Sequence, residues 1–257
     1  MNSAVGVAPI RGLLWREWLA HRSLVFNFLT VWLVCVWVLP MAAHPATMLV
    51  FGVLYALVVG PAFGGSELQD GTEEFAFALP PTRGERYVAR LLLGLATLLG
   101  LVGIGLLAVA FSLPQAVWRL FFETGLTEPY SSRAPGFLWT LSLVAPPAVF
   151  ATTFALAAVV PTASLVRSSW FFAGGLAGAA VGLGFVAENW LWQAFNGRIA
   201  VPAAAALGLG AAVVGYRLYR RKEATSDADG ATGSLLITGT AVVVLLMVLA
   251  FVAASIA

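Results

Sequence analysis

The chain contains one lysine, Lys222, so a phosphate-binding G-x-x-x-x-G-K-[ST] loop has no place in it. Nucleotide hydrolysis of that kind is therefore excluded for this chain by itself. The single cysteine, Cys35, rules out an internal disulfide framework. His21 and His44 are too dispersed, with Cys35, to match the spacing of a His/Cys metal site. Gly64-Gly65-Ser66-Glu67-Leu68 lacks the final glycine of a nucleophile elbow. Charge is also scarce. Only 10% of the residues are Asp, Glu, Lys or Arg, against about a quarter in soluble domains.

What fills the space is apolar: 60% of the 257 residues are hydrophobic. No Asp, Glu, Lys or Arg interrupts residues 23–66, 91–118, 134–166, 168–187, 199–216 or 230–257. A helix rises about 1.5 Å per residue, so roughly 20 apolar residues cross the hydrocarbon core of a bilayer. The first run accommodates two crossings around a turn near Pro40 and Pro45. The expectation is an all-α, polytopic membrane bundle with spans near 24–41, 47–65, 88–112, 137–160, 169–187, 199–217 and 234–256.

The basic residues are sorted by loop rather than gathered into a tract, so the net charge of +2 does not point to nucleic acid. With the N-terminus placed in the cytoplasm, only Arg119, Arg133 and Arg198 of the 14 Lys and Arg residues fall outside. That is the asymmetry of the positive-inside rule. The first apolar run begins only after Arg22, follows Glu17 and precedes a second run. The N-terminus is therefore read as a lead-in to a span and not as a secretory signal. Residues 9–22 predict a helix with Pro9 at its first position. Ile10, Leu13, Leu14 and Trp18 form an apolar stripe interrupted by Glu17, and Arg11, Arg16 and Arg22 could reach headgroups.

Residues 66–90 are the longest charge-rich interruption, with Glu67, Asp70, Glu73, Glu74 and Glu85 against Arg83, Arg86 and Arg90. Asp70-Gly71 signals a turn. Thr72 can cap a short helix whose first turn carries Glu73 and Glu74, the sign that suits a helix N-terminus. Phe75, Phe77 and Leu79 give it an apolar surface, and Pro80-Pro81 ends it. Thr82-x-x-Glu85 is a capping-box pattern that restarts the chain as the third span.

Elsewhere, residues 114–124 predict an outer interfacial helix with Trp118, Phe121 and Phe122. Pro146-Pro147 predicts a kink in the fourth span, and Pro61, Gly64 and Gly65 a kink or loosened backbone ending the second. Gly174, Gly178 and Gly182 recur every four residues, a pattern that allows close helix approach within the chain or at a subunit interface. Residues 224–233 read as a polar linker.

No Asp, Glu, Lys, Arg or His lies near the centre of an expected span, where a charge costs about 2.5–3.5 kcal/mol and is usually kept for a proton or ion path. A transporting chain of this composition would take its energy from outside the membrane, through a cytoplasmic segment. Residues 66–90 fit that part.

Glu67, Asp70-Gly71-Thr72-Glu73, Leu79-Pro80 and Arg83, between a second and a long third span, resemble the permease subunit of type-2 ABC transporters. Leu14-Trp15-Arg16-Glu17-Trp18 looks like that family's connecting helix, and residues 216–222 like the charged end of its sixth span. The resemblance covers roughly residues 9–223. It implies a six-span permease core (1–223), with residues 234–257 as an added span that the family core lacks. It also implies a bacterial cytoplasmic-membrane location and pairing with a second permease copy or a related one. Two copies of a separate ABC ATPase subunit would carry ATP and Mg, with no cofactor on this chain. On that resemblance Glu67, Asp70, Gly71, Thr72, Glu73, Phe75, Leu79, Pro80 and Arg83 form the ATPase-coupling surface, none of them catalytic, and Arg11, Arg16 and Trp18 belong to the connecting helix.

Two other classes compete. A non-transporting membrane scaffold or assembly factor could recruit a cytoplasmic partner through the same segment. An intramembrane enzyme is the third: Glu73-Glu74 resembles the paired glutamates of prenyl-protein proteases. There, however, Ala78 stands in place of the arginine of that pattern, and no histidine follows.

Overall fold

The computed structural model describes residues 8–33, 45–69, 82–111, 136–159 and 197–222. Among these the chain is all-helical: α1 (Ala8–Leu33), α2 (Pro45–Gly64), the single turn α3 (Ser66–Gln69), α4 (Arg83–Ala110), α5 (Gly136–Val159) and α6 (Gly197–Arg221). Two stretches, Arg83–Ala110 and Trp139–Val159, are long and apolar enough to cross a membrane. The expected spans at 169–187 and 234–256, the helix at 114–124, the linker at 224–233 and the glycines Gly174, Gly178 and Gly182 lie outside the described residues.

Local chemistry accounts for several boundaries. Thr82 is extended (φ −63°, ψ 154°) and its Oγ1 accepts the amide of Glu85, while Glu85 Oε2 accepts the amide of Thr82 at 2.8 Å. This is the reciprocal capping box of the Thr-x-x-Glu pattern. α2 runs through Pro61 to Gly64, and the chain bends at Gly65 before α3 resumes. α5 likewise continues through Pro146 and Pro147 over its whole length. α1 is one helix of 26 residues, so the lead-in at 9–22 and the start of the first span are continuous.

Paired contacts set the direction of each helix. Glu17 meets Arg90, and Trp32 lies against Gly105, so α1 and α4 run parallel. His21 stacks on Phe63 and Phe28 meets Tyr55, so α2 runs the opposite way. Gly52 lies against Pro146 and Gly64 against Phe154, which sets α5 alongside α2 in the same direction. Gly208 at Ala148 and Gly215 at Ala155 add α6 in that direction too.

The α2–α5 seam depends on small residues. Gly52, Ala56, Gly60 and Gly64 recur every four residues and present one stripe to α5. A Cβ on Gly52 would sit 2.7 Å from Pro146 Cγ, and one on Gly60 or Gly64 would strike Thr153 or the Phe154 carbonyl. Thr153 Oγ1 donates to the Ala56 carbonyl at 3.0 Å across the same seam. Around it pack the fully buried Met48, Tyr55, Phe63, Tyr87, Leu98, Phe150 and Phe154.

These directions gather charge at one end. Apart from Arg198, at the opposite end of α6, every Asp, Glu, Lys and Arg among the described residues lies within a few turns of the end formed by the start of α1, the start of α4 and the finish of α2, α5 and α6.

Candidate functional site

At this end four helices meet around a buried ionic cluster. α1 supplies Glu17 and His21, α3 supplies Glu67, α4 supplies Arg86 and Arg90, and α6 supplies Tyr219. Arg86 and Arg90 are four residues apart, so they share one face of α4. Glu67 Oε1 accepts Arg86 Nη1 at 3.2 Å and also pairs with Arg90 Nη2. Its second oxygen accepts the Tyr219 hydroxyl at 3.1 Å. Arg90 reaches in the other direction as well, with Nε 3.1 Å from Glu17 Oε1. His21 closes the group. Nδ1 lies 3.0 Å from the Glu17 carbonyl and Nε2 3.3 Å from the Ala62 carbonyl, and the ring stacks on Phe63 with centroids 4.0 Å apart.

The two carboxylates and two guanidinium groups balance in sign. Arg90 is only 3% exposed and Glu67 8%, so little water is available to either. In such surroundings a matched pair roughly offsets its own desolvation, but losing one partner leaves an uncompensated charge and costs about 3–5 kcal/mol. The cluster therefore holds its helices in one arrangement, or exchanges partners as a unit.

A second set of contacts extends the attachment to the end of α6. Arg83 Nη1 donates to the Lys222 carbonyl, and Lys222 Nζ donates to the Ala158 carbonyl at 3.4 Å. Tyr87 donates to the Ala212 carbonyl at 3.1 Å and packs edge-on to Phe154 and Tyr216. Arg220 lies over the Tyr216 ring, 5.6 Å from its centroid.

Of the residues assigned to a coupling surface, Glu67 and Arg83 are engaged with this chain's own helices, Glu67 in a buried position. Asp70, Gly71, Thr72, Glu73, Phe75, Leu79 and Pro80 lie outside the described residues. Arg11 and Arg16 are exposed on α1, and Trp18 is half-buried, edge-on to Phe26 at 6.0 Å. Glu17, His21, Arg86, Arg90 and Tyr219 were not singled out from the sequence as site residues. Signals for three of them were present: Glu17 is an acid interrupting the apolar stripe of α1, and Arg86 and Arg90 are two arginines one turn apart at the start of a long apolar helix, whereas no local pattern marks His21 or Tyr219.

Among the described residues, no group of three or more His, Cys, Asp or Glu could hold a metal ion. Comparison with family models, with curated proteins and with solved structures found no match to this chain.

Proposed function

We propose that the chain is the membrane-embedded permease subunit of an ATP-driven exporter of the type-2 ABC class, with its charged end in the cytoplasm. The observation that carries this reading is the way residues 70–81 are bracketed. Glu67, just before them, and Arg83, Arg86 and Arg90, just after, are tied to α1 and to the end of α6. A force delivered to the ends of that segment would pass to α1, α3 and α4 through ion pairs, and to the end of α6 through the hydrogen bonds of Glu67 with Tyr219 and of Arg83 with the Lys222 carbonyl. A six-span core with a further C-terminal span, paired with a second permease, is the arrangement in which such a force would open one side of the bundle and close the other.

The partner is a separate P-loop ATPase, since the single lysine of this chain, Lys222, does not stand in such a loop. Purification from native membranes in a mild detergent is expected to bring down that ATPase. Recovery of the chain alone would count against the reading. Glu73→Arg combined with Leu79→Asp is expected to abolish transport while leaving membrane insertion and the ATPase's basal turnover in place. Transport that survives the double substitution would remove the coupling role. An ATPase that co-purifies but never responds to any cargo would favour the scaffold instead.

A further inference from the structure

The last turns of α6 carry a feature that the ionic cluster does not use. Arg217, Arg220 and Arg221 are all exposed, and none has a carboxylate partner among the described residues. At about 3.6 residues per turn they share an arc of about 100° with Val213. That arc lies opposite Gly208, Gly215 and Tyr219, which meet Ala148, Ala155 and Glu67. Arg220 is steadied over the Tyr216 ring, 5.6 Å from its centroid. Glu67 and Glu85, the acids of α3 and α4, are engaged elsewhere, Glu67 with Arg86 and Arg90 and Glu85 with Thr82. Three positive charges therefore stand together against only the partial charge of the helix end, about half a unit.

One anion can meet more than one of these side chains. Cβ atoms three or four residues apart on a helix are about 5–6 Å from each other. Arg217 can therefore share a phosphate with Arg220 or with Arg221. One turn earlier the same arc is apolar. Val213 and Val214 are 51% and 53% exposed, and Gly210 has nothing within 4 Å of an added Cβ. No Asp, Glu, Lys or Arg occurs from 199 to 216, so on this face the hydrocarbon edge falls between Val214 and Arg217, about 4.5 Å apart along the axis. Helical side chains lean toward the N-terminus of their helix, and in α6 that direction leads into the membrane. The lean brings the three guanidinium groups back to the phosphate layer just outside the hydrocarbon. An acidic protein in the cytoplasm would meet the arginines alone. A phospholipid meets the arginines and the apolar arc together.

We propose that this face of α6 binds an anionic phospholipid, its phosphate held by Arg217 with Arg220 or Arg221 and an acyl chain lying along Val213 and Gly210. The site rests on the membrane placement given above but not on ATPase coupling, so the two readings fail separately.

The test uses the full chain in nanodiscs of equal phosphatidylglycerol and phosphatidylcholine, with native mass spectrometry of the lipid retained on release. A basic residue at an anionic lipid surface is worth about a fivefold preference, the equivalent of ~1 kcal/mol. Wild type should therefore retain phosphatidylglycerol well above its share. Arg217→Gln with Arg221→Gln should lower that preference by about fivefold or more. Arg11→Gln with Arg16→Gln removes the same charge from α1 and should lower it far less. A melting temperature in phosphatidylcholine equal to wild type shows that the α6 variant is folded; if it is not, Arg217→Gln alone, at an exposed position, is expected to lower the preference instead. Equal retention of the two lipids by wild type would overturn the proposal. So would an undiminished preference in the folded α6 variant, an equal loss in the α1 variant, or an acidic protein retained on the arginines in place of lipid.

Discussion

Arg90 joins the two carboxylates of the cluster, because its fork spans Glu17 on one helix and Glu67 on another. Arg90→Ala leaves Glu17 and part of Glu67 buried without a cation, and is expected to lower stability by about 3–5 kcal/mol. Arg90→Lys should recover only part of this, since an ammonium is a point donor and cannot reproduce the fork. Thermal unfolding of the purified chain in detergent measures both. An unchanged melting temperature for Arg90→Ala would mean that the cluster is solvated. Glu67→Gln should be more damaging than Glu17→Gln, because Glu67 accepts from two arginines and Tyr219 together. The capping box at Thr82 was legible in the sequence because its donors and acceptors lie three residues apart. The partners of Arg90 were not legible: Glu17 is 73 positions away, and no local rule selects it over any other acid.

At the scale of elements, the small-residue stripe of α2 is the main packing device. Gly60→Leu would drive a branched side chain into Thr153 and the α5 backbone, and is expected to abolish recovery of folded protein. Gly100 and Gly103 of α4 have nothing within 4 Å of an added Cβ. Gly100→Ala is expected to be neutral or to stabilise by up to about 1 kcal/mol, since alanine favours the helical backbone. Fluorescence-detected size exclusion of the two variants side by side distinguishes the cases; loss of folded protein in both would show that glycine serves α4 for some reason other than space. The four-residue spacing on α2 was visible in the sequence, but so was the spacing at Gly174, Gly178 and Gly182. Periodicity identifies a face that can approach closely without naming the neighbour. The prolines of α2 and α5 show the same limit. Pro61, Pro146 and Pro147 read as sites of kinked or loosened helix; helix continues through each, and what the sequence did not show is that the Pro146 ring fills the space left by Gly52.

For the whole molecule, the helix directions make a prediction about sidedness. In a Cys35→Ser background, Arg11→Cys and Arg220→Cys should be shielded from a membrane-impermeant thiol reagent added to intact cells, and Arg198→Cys should react. Labelling of positions 11 and 220 from outside would invert the orientation and remove the cytoplasmic placement of residues 70–81. The gathering of Lys and Arg at one end, with Arg198 alone at the other among the described residues, is the asymmetry that the positive-inside rule associates with the cytoplasmic side.

The sequence by itself determined the helical class, the positions of the long apolar segments, the Thr82 cap and the absence of any P-loop. All of these follow from composition or from residues close together in the chain, where hydrophobic periodicity and capping chemistry act. Tertiary structure decided which helices run together, that α1 continues unbroken alongside α4, and that Glu67 and Arg83 face inward to their own chain. Those outcomes depend on contacts between residues far apart in sequence. There the need to neutralise buried charge and to close small-residue seams selects one partner among many, and no local pattern records the choice.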